Sequence, residues 1–171
     1  MGSNYYNPEI HQRHSTRLPD FDYASRGAYF VTICTIDRLP ILKEEELHSI
    51  LVDTWESLPL RFTGVALDEF VVMPDHVHFI VWLNADELNI DGKKGPTLGG
   101  VVGAFKSVTS VTWLKYVQAN KLDCVARFWQ RGYIEHVIRN DFELDQRRAY
   151  IRNNPIKEEL RRESQGVPPQ P

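Results

Sequence analysis

Residues 65–83 read VALDEFVVMPDHVHFIVWL, and this stretch decides the fold. Its β-branched and aromatic residues predict two strands, 65–73 and 76–83, separated by a short break at Pro74-Asp75. Side chains alternate between the two faces of a strand, so His76 and His78 share one face, with Cα atoms roughly 7 Å apart at ~3.3 Å per residue. Val77 then points to the other face, into the core.

Further elements lie on both sides of this pair of strands. Periodicity and composition predict a strand at 28–36, a helix at 43–60, a helix at 98–120 and a fourth strand within 128–139. Asn140, with Glu143 three residues later, predicts the start of a last helix, and Asn154-Pro155 predicts its end. The order of elements predicts an α+β, ferredoxin-like antiparallel sheet with helices on one face. The C-terminal helix is an addition to that pattern.

The chain is long enough for one globular domain. It has 171 residues, of which 42% are hydrophobic and 25% are charged, and these values exclude disorder of the whole chain. Polar, proline-containing sequence predicts an N-terminal arm at 1–25, and Pro-rich sequence predicts a flexible tail at 161–171. A single domain at 26–160 lies between them.

Composition also limits the functional class. The only two cysteines, Cys34 and Cys124, predict reduced thiols of a cytosolic protein rather than a disulfide framework. No apolar run approaches the ~18 residues of a membrane span, and the N-terminus lacks the apolar region of a signal peptide. We therefore expect no membrane partner.

The charge is segregated along the chain. Residues 37–91 carry a net −9 and residues 93–139 a net +6, whereas the whole chain carries −3. The pI near 6.1 argues against a generic nucleic-acid binder. The local positive excess still permits a phosphate-binding face, although a simple solvated surface is the commoner explanation of such an excess.

Four residues could carry chemistry. Two imidazoles on one strand face can converge on one metal ion, although His76 and His78 could also be partly exposed histidines without a ligand. Tyr150 and Asn154 lie four residues apart, on one face of the last helix. A tyrosine is a competent nucleophile beside a metal, and an amide oxygen is a hard ligand. The alternatives are a packed aromatic residue and a helix-ending residue.

Four sequence blocks carry a resemblance to a known family. They are FVVMPDHVHFIVWL (70–83), LGGVVGAFKS (98–107), FWQRGYIEHVIRN (128–140) and YIRNNP (150–155), preceded by RLPDFDYASRGAYFVTICT (17–35). In this order they resemble the single-tyrosine transposases of the HUH nuclease superfamily, and most closely the branch of REP-associated tyrosine transposases. The resemblance extends from about Arg17 to about Leu160.

This resemblance implies a role for each candidate residue. His76, His78 and Asn154 are implied to bind a divalent cation, and Tyr150 is implied to be the nucleophile. Mg²⁺ or Mn²⁺ suits such a site better than Zn²⁺, because a closed zinc site usually has four protein ligands. His136 is expected to have a structural or phosphate-contacting role rather than to be a ligand.

The implied reaction is metal-dependent nicking and rejoining of DNA. Tyr150 would attack phosphorus and form a 5′-phosphotyrosine, which a 3′-hydroxyl can later reverse. The implied substrate is single-stranded DNA next to a REP-like hairpin, in the bacterial cytoplasm at the nucleoid. The protein could act as a monomer or as a homodimer.

Basic and aromatic residues of the second half are candidates for DNA contact. The candidates for backbone phosphates are Lys93, Lys94, Lys106, Lys115, Arg127 and Arg131. The candidates for base stacking are Trp113, Trp129 and Tyr133, although an aromatic residue taken alone is more often part of a core.

Two other functions remain open at this level. One is a catalytically silent, ferredoxin-like binder of single-stranded nucleic acid, against which the retention of all four site residues argues. The other is a two-histidine phosphoesterase of small RNA. Such enzymes need two His-x-Ser/Thr motifs, and this chain does not have two.

Overall fold

The structure is a computed structural model that describes residues 25–84, 95–125 and 127–164. Within these ranges the elements are β1 (Gly27–Cys34), α1 (Glu45–Arg61), β2 (Val65–Met73), β3 (His76–Leu83), α2 (Leu98–Ala119), β4 (Ile134–Ile138) and α3 (Asp141–Ser164). The predicted arm, apart from residue 25, and the last seven residues of the predicted tail lie outside the described residues. No helix in the described ranges is both long and apolar enough to span a bilayer.

The four strands form one antiparallel sheet in the order β2-β3-β1-β4. This is the order of a ferredoxin-like fold, and it confirms the predicted fold class. Helices α1 and α2 pack on one face of the sheet, and α3 packs on the opposite face. The molecule therefore has three layers in the described part, with the added helix on the face that the ferredoxin-like pattern leaves open.

Two hydrophobic clusters hold the layers together. The larger one lies between the sheet and α1/α2, and it includes Tyr29, Val77, Phe79 and Phe105, none of which is exposed. The smaller one lies under α3 and consists of Ala28, Phe30, Ile80, Ile138, Leu144 and Ile151. Alternate residues of β1 and β3 enter different clusters, as strand alternation requires.

Pro155 does not end the last helix, so the predicted stop was wrong. Proline removes one backbone hydrogen bond and usually breaks or kinks a helix, but α3 continues to Ser164. Buried Ile151 and the ion pair of Arg152 with Glu69 anchor the turn before Pro155. The following residues, KEELRRE, are strong helix formers.

An irregularity in β2 alters which side chains face α3. The register between β2 and β3 shifts between Leu67 and Phe70, which is a β-bulge. Leu67 and Phe70 both pack against the larger cluster. The two residues between them, Asp68 and Glu69, both reach side chains of α3.

Candidate active site

The two histidines of β3 and the tyrosine of α3 lie together. His76 and His78 project toward α3, and their ring centroids are 4.6 Å apart. The ring of Tyr150 lies 5.2 Å from the ring of His78, and its phenol oxygen lies 3.5 Å from Nε2 of His78. Tyr150 remains 40% exposed, so an incoming molecule can reach its hydroxyl.

Each imidazole has a hydrogen-bond partner at Nδ1. Thr32 Oγ1 lies 2.8 Å from Nδ1 of His78, and Asp75 Oδ1 lies 2.5 Å from Nδ1 of His76. A carboxylate accepts the proton of Nδ1, which leaves Nε2 of His76 with a free lone pair. If Thr32 also accepts from Nδ1, both histidines present Nε2 as ligands. Metal-binding histidines in proteins use this arrangement.

The electrostatics keep His78 neutral. The ring is only 5% exposed. Burial, followed by the nearby charges of His76, Arg38 and Arg147, lowers the pKa of His78 to about 3. A neutral imidazole can bind a cation, whereas an imidazolium cannot.

Asn154 carries an orphaned polar atom. Its amide nitrogen is buried and has no hydrogen-bond partner among the described residues. The nitrogen and oxygen of an amide exchange places by rotation about one bond, and rotation would put an oxygen at that position. An amide oxygen is a hard ligand of the kind that Mg²⁺ and Mn²⁺ prefer, whereas imidazole nitrogen also binds several transition metals. In the described ranges, no three His, Cys, Asp or Glu residues are grouped to hold a metal ion. A third protein ligand would have to be another residue type, such as the amide of Asn154.

Ion pairs hold the tyrosine helix against the sheet. Arg148 donates two hydrogen bonds to Asp68, at 2.9 and 2.6 Å. Arg152 donates to Glu69, at 2.8 Å from Nε. These arginines lie two residues before and two residues after Tyr150, so both pairs constrain the turn that carries the phenol.

The start of α3 has the predicted cap. The amide N–H of Glu143 donates to Oδ1 of Asn140 at 2.9 Å. The Glu143 carboxylate accepts from the N–H of Arg139 and also contacts the ring of His136. These bonds lower the pKa of the Glu143 carboxyl. His136 therefore links β4 to α3, which fits the structural alternative for this residue.

Two of the candidates for base stacking are core residues instead. The rings of Trp113 and Trp129 are buried in the larger cluster, and the Trp129 indole donates to Thr109. Neither ring is available to a base. The Lys106 ammonium donates to the carbonyls of Gln130 and Gly132 and holds that loop, which leaves it poorly placed for phosphate.

The remaining candidates have different positions. Lys115 is exposed on α2, and Arg127 and Arg131 are exposed in the connection from α2 to β4. Tyr133 packs partly against the larger cluster. Lys93 and Lys94 lie outside the described residues.

Four residues that surround the imidazoles were not predicted from the sequence: Thr32, Arg38, Asp75 and Arg147. Arg38 lies in a segment with a net charge of −9, so a count of charges along the chain does not predict a phosphate contact there. The signal that could have found Thr32 is strand register, because Thr32 pairs with His78.

Comparison with known proteins identifies the family. Residues 24–154 match the family described as "Transposase IS200 like". An uncharacterised protein of Haemophilus influenzae is 35% identical over 174 residues, with 88% of this chain and 92% of that protein covered. A protein of the same organism described as a REP-associated tyrosine transposase is 24% identical over 139 residues, with 80% and 74% covered.

One solved structure supports the fold. It is described as a REP-associated tyrosine transposase bound to a REP hairpin, and it aligns with a TM-score of 0.57 at 21% identity. The alignment covers 83% of this chain and 72% of that one. The family match covers most of the chain, and the fold agrees with it. The chain therefore belongs to the IS200-like transposase family.

Proposed function

We propose that this transposase nicks and rejoins single-stranded DNA at hairpin sequences through a covalent 5′-phosphotyrosine on Tyr150. The observation that carries the proposal is the 3.5 Å separation between the Tyr150 phenol oxygen and Nε2 of His78. It brings the phenol of one layer close to the imidazole pair of another. If Tyr150 were only a packed aromatic residue, its phenol would not need to be partly exposed beside the imidazoles.

The reaction needs a positioned nucleophile more than a strong base. The phenol oxygen of Tyr150 forms a bond to phosphorus while the bond from phosphorus to the 3′ oxygen breaks. The phenol loses one proton and the leaving oxygen gains one, so the products are a phosphotyrosine and a free 3′-hydroxyl. A 3′-hydroxyl reverses the step and joins strands, because the phosphotyrosine conserves the phosphodiester bond energy.

The residues that would hold a divalent cation are His76, His78 and Asn154. Mg²⁺ or Mn²⁺, when bound, supplies positive charge that stabilises the oxygens of the phosphate. Thr32 and Asp75 hold the two imidazoles through their Nδ1 atoms. The docked helix α3 brings the phenol to the same imidazole pair.

The proposed partner follows from a relative. The structural neighbour is described as bound to a REP hairpin, and we extend hairpin DNA as a partner to this chain. The runner-up is a silent binder that holds the same DNA without cleaving it. One observation favours this alternative. The phenol oxygen of Tyr150 lies beyond ordinary hydrogen-bond distance from Nε2 of His78.

A covalent-adduct assay tests the proposal. The full-length protein is mixed with a labelled single strand that carries the hairpin flanking its gene, with Mg²⁺ or Mn²⁺ or with EDTA, and analysed on a denaturing gel. Tyr150→Phe removes the nucleophile. Tyr116→Phe is the matched control, because Tyr116 lies on α2 in the opposite layer.

We expect an adduct that needs the cation, disappears in Tyr150→Phe and persists in Tyr116→Phe. Binding without an adduct would favour the silent binder. An adduct that survives in Tyr150→Phe would support a covalent nuclease mechanism but would show that Tyr150 is not the nucleophile.

A further inference from the structure

Two arginines bracket the imidazole pair. Nη1 of Arg38 lies 3.4 Å from Asp75 and 3.5 Å from Nδ1 of His76. On the other side, the Arg147 guanidinium lies 5.0 Å from the centre of the Phe30 ring. That ring in turn stacks on His78, with centroids 5.3 Å apart.

The strand register orders these groups along the sheet. Cys34 pairs with His76, Thr32 with His78 and Phe30 with Ile80. Arg38 follows the end of β1, so it lies past the Cys34–His76 pair. Arg147 lies over Phe30, which is two positions along β1 from Thr32, the partner of His78, in the direction away from His76. The two positive charges therefore lie at opposite ends of the imidazole pair.

Both guanidiniums keep donors available. In the described part of the structure, Arg38 uses only Nη1, so its Nε and Nη2 have no protein acceptor. Its side chain is 59% exposed. Arg147 makes no hydrogen bond within the same ranges. A guanidinium with two free N–H groups on one edge matches the two oxygens of a phosphate.

The backbone at Arg38 is unusual. Asp37 and Arg38 have φ values of 51° and 57°, in the left-handed region that non-glycine residues rarely adopt. Such conformations cost on the order of 1–3 kcal/mol each and concentrate at functional sites. From this strained turn the Arg38 side chain reaches His76.

We propose that Arg38 and Arg147 bind the DNA backbone on the two sides of the scissile phosphate, as a clamp of two guanidiniums. The inference rests on the proposed function for the identity of the anion. The clamp neutralises phosphate charge with residues of the chain itself, so it acts before and without a cation.

Binding in EDTA tests the clamp separately from chemistry. Anisotropy measures the Kd of a fluorescein-labelled strand with the flanking hairpin at several salt concentrations. Arg38→Asn removes the guanidinium and retains a residue that tolerates the left-handed region. Arg147→Gln removes the other guanidinium of the clamp. Arg61→Asn is the control, because Arg61 ends α1 in the opposite layer and leads to Val65, at the far end of the sheet from His76.

We expect each clamp variant to bind about tenfold more weakly at low salt. The slope of log Kd against log salt should fall by about 0.7, the value for one lost phosphate on a single strand. Arg61→Asn should match the wild type. Circular dichroism of each variant verifies the fold.

Three results would overturn the clamp: slopes unchanged in both variants, an equal loss in Arg61→Asn, or no DNA binding by the wild type. The proposed function fails separately. The two arginine variants could show the expected loss of slope while the wild type forms no adduct with Mn²⁺. That result would support the arginine clamp and contradict the proposed nuclease activity.

Discussion

At the scale of single residues, the candidate site depends on what holds each imidazole. His78 sits in the sheet with Thr32 at Nδ1, and His76 at the strand end with Asp75 at Nδ1. Partners of this kind fix the tautomer and orientation of a ligand, and their loss typically reduces metal affinity by about 10- to 100-fold.

Thr32→Val should weaken Mn²⁺ binding by about tenfold or more, because the substitution removes the partner of His78 and keeps the side-chain shape. Isothermal titration with Mn²⁺ measures the effect. Thr54→Val, at a buried threonine of α1, is the control and should retain wild-type affinity. Equal affinities for the two variants would contradict the role of Thr32.

Asn154→Ala should change stability and metal affinity in opposite directions. The buried amide nitrogen has no partner among the described residues, and alanine is the better helix former, so the metal-free variant should be as stable as the wild type or more stable by about 1 kcal/mol. Its affinity for Mn²⁺ should fall. Urea unfolding in EDTA and Mn²⁺ titration measure the two effects, and a loss of stability in EDTA would reject this explanation.

At the scale of elements, the bulge of β2 docks the tyrosine helix. Consecutive residues of a regular strand face opposite ways, but the bulge allows Asp68 and Glu69 both to reach arginines of α3. Asp68 is the more buried carboxylate and also accepts from the Trp82 indole. Arg152, in the other pair, is mostly exposed.

Asp68→Asn should destabilise the protein by about 1–3 kcal/mol at pH 7, because it breaks a bidentate, charge-assisted pair. Glu69→Gln is the matched control, and it should cost about 0–1 kcal/mol as an exposed pair. Urea unfolding of both variants measures the difference. Similar losses would show that burial of the bulge carboxylate is unimportant.

The same pair sets an acid dependence. The hydrogen bonds from Arg148 are the main cause of the lowered pKa of Asp68. A lowered pKa in the folded state means that the stabilisation is fully present above the unfolded pKa of about 3.9 and is lost as pH falls through the folded pKa. The difference in unfolding free energy between wild type and Asp68→Asn should therefore be constant at neutral pH and shrink below about pH 4. A difference independent of pH down to pH 2 would contradict this assignment.

At the scale of the whole molecule, the site joins two layers. The histidines belong to the sheet, whereas Tyr150 and Asn154 belong to α3, which supplies two of the six residues of the smaller cluster. A ligand that contacts both layers binds only the folded state and stabilises the molecule as a whole.

Mn²⁺ at 100 times its Kd should stabilise the protein by about 2.7 kcal/mol, which corresponds to a rise in Tm of about 5–10 °C for a chain of this size. Differential scanning calorimetry measures the rise. It should be absent in His78→Asn and retained in His48→Asn, a change at an exposed histidine of α1. A rise in His78→Asn equal to that of the wild type would place the ion elsewhere.

Local pattern determined the elements of this protein and the faces of its strands. Alternation in 76–83 placed both histidines on one face and Val77 in the core, and the order of elements predicted the antiparallel sheet. Helical spacing placed Tyr150 and Asn154 together, and resemblance assigned their roles. The inferences about elements and strand faces succeeded because each depends on residues close together in the chain. The roles assigned by resemblance stay predictions.

Only the tertiary structure decided what surrounds the imidazoles. Thr32 reaches the site through strand pairing, Arg38 through the turn that follows β1, and Arg147 through the docking of α3. The burial of Trp129 and the engagement of Lys106 depend on how the loop before β4 packs against α2. Contacts between residues distant in the chain follow from the relative placement of whole elements, and side-chain type or local charge does not encode that placement.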